Sequence, residues 1–60
     1  MKLTLKLTME NDAFAPNAGE EAARILRGIA GKIERGRESG SAMDVNGNTV
    51  GRWRIEHAYK

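Results

Sequence analysis

The stretch MDVNGNTVGRWRI, residues 43–55, places Asn46-Gly47 between two runs that contain apolar residues. That dipeptide is the strongest short-range hairpin signal, because a type I′ turn needs positive φ at both central residues. It predicts strands over about 42–45 and 48–56, with Val45 opposite Asn48 and Met43 opposite Val50. Continued without interruption, this parity would send Arg52 and Arg54 to the same side as Val50 and bury two arginines. A β-bulge at Gly51 removes the conflict, because one extra residue turns Met43, Val45, Val50, Trp53 and Ile55 all inward. With Trp53 and Ile55 on it, the last strand is expected at the centre of the sheet.

Working outward, residues 1–9 alternate strictly, with Leu3, Leu5, Leu7 and Met9 at odd positions and Lys2, Thr4, Lys6 and Thr8 at even ones. Period-two alternation is the mark of a strand with one buried face. Phe14, in the connector that follows, is expected to cap one end of the core. Asn17 suits a helix N-cap, with Glu20 three residues on and Glu20 and Glu21 at the positive end of the dipole. Ala22, Ile25, Leu26, Ile29 and Ile33 then form one apolar stripe at helical spacing, and the helix is expected to run to about Arg35. Gly36 stands where a left-handed C-terminal cap belongs, with Arg35 and Arg37 at the negative dipole end. Residues 36–41 read as a polar loop. The expected fold is α+β with the order β-α-β-β: one helix on one face of a three-stranded antiparallel sheet, strand order 1-3-2.

Sixty residues make one domain, spanning 1–60. Forty per cent hydrophobic and thirty per cent charged residues describe a globular chain rather than a disordered one. A chain this short buries only about 60% of its unfolded surface, and the absence of cysteine excludes disulfides and Cys-based zinc sites. Dimerisation is the natural supplement to so small a core. No signal peptide or membrane span is evident, so a cytoplasmic location is expected. Ten Lys and Arg against eight Asp and Glu give a net charge of +2, which permits an anionic partner.

Catalysis needs cooperating groups within hydrogen-bond reach, and none is visible. His57 is the single histidine and has no Cys, Asp or second His at metal-ligand spacing. Ser39 and Ser41 have no base beside them. The glycines match neither a Walker A loop nor a dinucleotide fingerprint. The reading is a non-enzyme with no metal and no cofactor.

Two surfaces suit binding. The outer sheet face would carry Lys2 and Lys6 beside Arg52 and Arg54, a basic stripe able to track phosphates but without an aromatic to stack bases, since Trp53 faces inward and Tyr59 lies in the tail. The same lysines also guard an edge strand against pairing with other chains. The second surface is the helix face opposite the stripe, where Arg24, Arg27, Gly28, Gly31 and Arg35 cluster. Two glycines inside a helix cost about 1 kcal/mol each relative to alanine, an expense that close approach by a partner protein or a second copy would explain.

The hairpin motif D-x-N-G-N-x-V-G-x-x-x-I, here Asp44 to Ile55, and the helix motif A-x-I-L-R-x-x-A, here Ala23 to Ala30, together resemble a group of very short proteins of tailed phages and prophages of proteobacteria. The similarity spans about residues 20–56. Its residues are those the turn, bulge and core require, so it implies context rather than chemistry: an accessory phage product acting in the bacterial host cytoplasm. Small phage proteins of this kind often resemble anti-CRISPR and other anti-defence inhibitors. The expected function is therefore binding and modulation of a host or phage protein. The alternatives are a nucleic-acid-binding module on the basic sheet face and an assembly component that oligomerises.

Overall fold

The computed structural model describes residues 1–58 of the chain. Strand β1 (Lys2–Leu7) leads through a 3-10 turn (Asp12–Phe14) into helix α1 (Ala18–Glu34), followed by strands β2 (Ser39–Met43) and β3 (Thr49–Glu56). The three strands form one antiparallel sheet in the order β1-β3-β2, with the helix between β1 and β2 in sequence. This is the expected α+β architecture.

The alternation in β1 sets Leu3, Leu5 and Leu7 opposite Ile55, Trp53 and Gly51. Across the other side of β3, Ala42 stands opposite Gly51 but Met43 stands opposite Thr49, so Val50 is the extra residue of a bulge. The bulge next to Gly51 has the expected consequence: Val50 and Trp53 are 7% and 2% exposed, while Arg52 and Arg54 point to solvent. Gly51 is needed where it stands. An added Cβ would overlap the carbonyl oxygen of Lys6 and approach Leu7 Cδ2 to 2.9 Å.

The hairpin itself differs from expectation. Asp44 N–H donates to Asn48 O at 2.9 Å and Gly47 N–H to Asp44 O at 3.0 Å. Gly47 has φ of +87°, and among the described residues no non-glycine residue has positive φ. A type I′ turn on Asn46-Gly47 is therefore ruled out, and the connection is a three-residue loop closed by a left-handed glycine. The cause is Asp44, whose carboxylate accepts the backbone N–H groups of Asn46 and Asn48 at 2.9 and 2.8 Å and organises the loop around itself. Pairing slips by one residue, and a one-residue slip exchanges the faces of a strand. Met43 and Val45, expected inside, are 51% and 66% exposed, while Ala42 and Asp44 take the inner positions at 2% and 4%.

Strand β2 correspondingly begins at Ser39, within the segment expected to be a loop, and ends at Met43 rather than residue 45. Gly40 lies opposite Trp53, where an added Cβ would meet the indole Nε1 at 2.9 Å. That Nε1 is buried and has no hydrogen-bond partner among the described residues. Strand β1 is shorter than the alternation, although Thr8 N–H still donates to Val50 O at 2.7 Å.

The ends of α1 follow the sequence. Asn17 accepts from Glu20 N–H at 3.0 Å. At the other end Gly36, with φ of +95°, donates to Ile33 O and Arg37 N–H donates to Lys32 O, each at 3.0 Å, a Schellman cap. Ile25 and Ile29 join Phe14, Ala42, Val50 and Trp53 in the buried core, with Ala22 and Ile33 packed beside them. Phe14 closes one end as expected. Leu26 is the exception in the stripe, being 45% exposed. Since the helix covers the inner face, the opposite face of the sheet is open to solvent.

Candidate functional site

On that open face the strand register sorts side chains into rows. Thr4, Arg54 and Ser39 form one row across β1, β3 and β2, and Lys6, Arg52 and Ser41 form the next. Lys2 lies opposite Glu56, which accepts an ion pair from Arg54 Nη2 at 2.6 Å. An open depression of about 430 Å³ runs over both rows. Like charges directly opposite one another on a sheet are destabilising, so setting Lys6 against Arg52 costs stability that a bound anion would restore. The threonine and serines that flank the arginines are small, leaving the guanidinium forks room to present paired donors to carboxylate or phosphate. The face has no aromatic among the described residues, because Trp53 lies in the core. Tyr59, assigned to the tail from the sequence, is outside the described residues.

The helix cluster is divided by the structure. Arg24, Arg27, Gly28 and Arg35 are exposed, and Gly31 is half-buried with the Arg35 guanidinium 3.7 Å from where its Cβ would be. Arg24, however, is engaged internally. Its Nε and Nη2 donate to Glu21 at 3.0 and 2.8 Å, and Nη2 also reaches Met43 O at 3.3 Å. Arg24 thus ties the helix to the hairpin, and changing it disturbs the fold as well as any docking face. Gly28 borders a groove between α1 and β2, and a Cβ added there meets nothing within 4 Å. Replacing Gly28 by alanine is therefore expected to stabilise the domain by about 1 kcal/mol, the helix-propensity difference, read as a higher urea midpoint. An unchanged or lower midpoint would mean that the helix at Gly28 is held by contacts that a methyl group disrupts.

Sequence reasoning missed the polar junction beneath the hairpin. Glu21, 8% exposed, accepts from Arg24 and from Val45 N–H at 2.8 Å. Asp44 accepts from Asn11 Nδ2 at 2.9 Å and Asn48 Nδ2 at 3.2 Å besides the two loop amides. The hydrogen bonds from Arg24 hold the Glu21 carboxyl below its usual pKa, and the Asn11 amide does the same for Asp44, in both cases against desolvation. One signal was available: Glu21 sits four residues before Ile25, on the face that the apolar stripe occupies. Both carboxylates are committed to holding the loop, which leaves neither poised for proton transfer.

His57 Nε2 lies 3.2 Å from Glu38 Oε1 at the end of β3. Among the described residues no three His, Cys, Asp or Glu side chains converge as metal ligands would, and no helix is long and apolar enough to cross a membrane.

The site and fold together define a β-α-β-β domain with one packed face and one open basic face. Compared with protein-family models, curated proteins and solved structures, the chain matches none of them.

Proposed function

We propose that this protein is a non-catalytic binding protein that modulates a larger host or phage protein by seating its open basic sheet face on an acidic surface. The observation that carries the proposal is the register that lines up Lys6 with Arg52 and Thr4 with Arg54 on a face nothing covers. Paired charge-assisted hydrogen bonds from arginine give both affinity and orientation toward carboxylates. The resemblance over residues 20–56 adds the phage context, and inhibition by surface occupation is the mode that suits a domain of 60 residues. The helix face with Arg27 and Arg35 is the secondary contact surface in this proposal.

A second reading, nucleic-acid binding, draws on the same cations. It is weakened by the lack of a stacking aromatic on the face among the described residues. Affinity capture from bacterial lysate, with and without nuclease, separates the two when wild type is compared with the doubly substituted R52E/R54E. The proposal expects one stoichiometric protein that survives nuclease and is lost with the double substitution. Capture that vanishes with nuclease and falls steeply with salt establishes the second reading instead. Capture unaffected by R52E/R54E excludes the sheet face.

A further inference from the structure

We infer that the free edge of β2 accepts an extended strand of the partner, one that carries carboxylates at alternate positions facing the basic side of the sheet. The inference deepens the proposed function and rests on its reading of the sheet face as anion-seeking.

The sheet has two free edges, and they differ in chemistry. The β1 edge carries Lys2 and Lys6, charges of the kind that discourage pairing with another strand. The β2 edge, Ser39 to Met43, has no charge and no proline. Its backbone is also oriented for pairing. Ile55 N–H donates to Glu38 O at 2.8 Å, so residues 38, 40 and 42 exchange hydrogen bonds with β3. By the alternation of antiparallel ladders, the backbone groups of Ser39, Ser41 and Met43 then point away from the sheet.

Two of the three outward carbonyls already have donors: Arg37 Nη2 reaches Ser39 O and Arg24 Nη2 reaches Met43 O, each at 3.3 Å. What the edge offers is therefore mainly N–H, three donors against the single carbonyl of Ser41. That balance favours an acceptor-rich, anionic segment.

Side chains of an added strand would alternate between two environments. On one side Ser39 and Ser41 are small and stand next to Arg54, which is ion-paired with Glu56, and Arg52, whose exposed guanidinium is the one placed to reach past them to a carboxylate on the new strand. On the other side lies the groove of about 330 Å³ between β2 and α1, floored by Ile25, Ile29 and Ala42 and left open by Gly28. It suits small apolar side chains. Both carboxylates near it, Glu21 and Asp44, are engaged within the protein, so the groove presents no unneutralised negative charge to the incoming strand. The recognised chemistry is thus an extended segment alternating acidic and small apolar residues.

The test uses a fluorescein-labelled heptapeptide alternating glutamate and valine, its lysine-valine counterpart, an all-glutamate heptapeptide and a DNA duplex, with binding followed by anisotropy and by amide shifts of the 15N-labelled protein. The expected result is saturable binding of the glutamate-valine peptide alone among the peptides, with the largest shifts at the amides of Ser39, Ser41 and Met43. Ser41→Pro removes an outward N–H without touching the β3 ladder and is expected to weaken binding by about tenfold or more. Gly28→Gln, on an exposed helix position, fills the groove and is expected to do the same should the proline variant misfold.

Equal binding of the all-glutamate peptide, unaffected by Ser41→Pro and Gly28→Gln but lost in R52E/R54E, overturns strand addition while leaving the anionic-surface reading intact. Binding of the duplex but of no peptide overturns both in favour of nucleic acid. Concentration-dependent shifts at Ser39, Ser41 and Met43 with a sedimenting dimer and no peptide binding assign the edge to a second copy and overturn the inference. Failure of every probe overturns the inference together with the reading beneath it.

Discussion

Gly51→Ala is expected to abolish cooperative folding. The new Cβ would occupy the space of the Lys6 carbonyl oxygen and press on Leu7, and the first of these is backbone that cannot rotate away. Overpacking a well-fitted site costs typically 1–3 kcal/mol, and overlap with backbone in a central strand belongs at the upper end, about 3 kcal/mol or more. A domain of this size rarely has more than about 3–5 kcal/mol in total. Urea denaturation followed by Trp53 fluorescence should therefore show a pre-transition baseline that is lost or sharply shortened. A variant with the wild-type midpoint would show that β1 and β3 do not approach each other at Leu7 and Gly51, and the register built on that contact would be wrong.

The second large effect is expected at Asp44. Alanine there leaves the N–H groups of Asn46 and Asn48 and the amides of Asn11 and Asn48 without their acceptor, beneath a hairpin whose geometry they define. Losing four hydrogen bonds to one buried carboxylate is costly, and the melting temperature should fall by about 10 °C or more. The same network makes stability depend on acid. Glu21 and Asp44 each have a lower pKa in the folded chain than in the unfolded one. Their contribution is therefore fully present above the ordinary carboxylate range, near pH 4, and is lost as pH falls through it toward the folded values. Thermal melts at descending pH should show wild type losing stability across that window, and Asp44→Asn losing less because one of the two titrating groups is gone. Identical pH profiles for the two proteins would mean that Asp44 is not held ionised by this network.

Much of this fold can be read directly. The alternation in β1 identifies the face that packs on the core, through the half-buried Leu5 and Leu7, although Leu3 and Met9 of the same parity are exposed, and the capping residues Asn17 and Gly36 bracket the helix to within a residue. The conflict between Val50 and Arg52 parity requires a bulge where one occurs. The hairpin loop was misread because Asn46-Gly47 is a local signal for a turn, whereas Asp44 competes for the same amides through its side chain. Strand β2 was misplaced because Ser39-Gly40-Ser41 has the composition of a loop. Its strand conformation comes from pairing with β3, where Trp53 leaves no room for a side chain at residue 40. The basic sheet face was legible from parity alone, since Lys2, Lys6, Arg52 and Arg54 all occupy outward positions. The junction of Glu21, Arg24 and Asp44 was not, because it joins the first turns of the helix to the hairpin through contacts between residues 19 and 24 positions apart in sequence.

Trp53 lies inside the sheet, which keeps its ring off the outer face and leaves Arg52 and Arg54 exposed there beside Glu56. The chain has one tryptophan, so its fluorescence reports this point without ambiguity. Iodide quenching of the folded protein is the direct measurement, and the basic face, which attracts the anion, makes it stringent. The expected result is blue-shifted emission that iodide does not quench until the protein is unfolded. Red-shifted emission quenched by iodide in the native state would place Trp53 on the outer face, reverse the parity of β3 and turn the basic stripe toward the core.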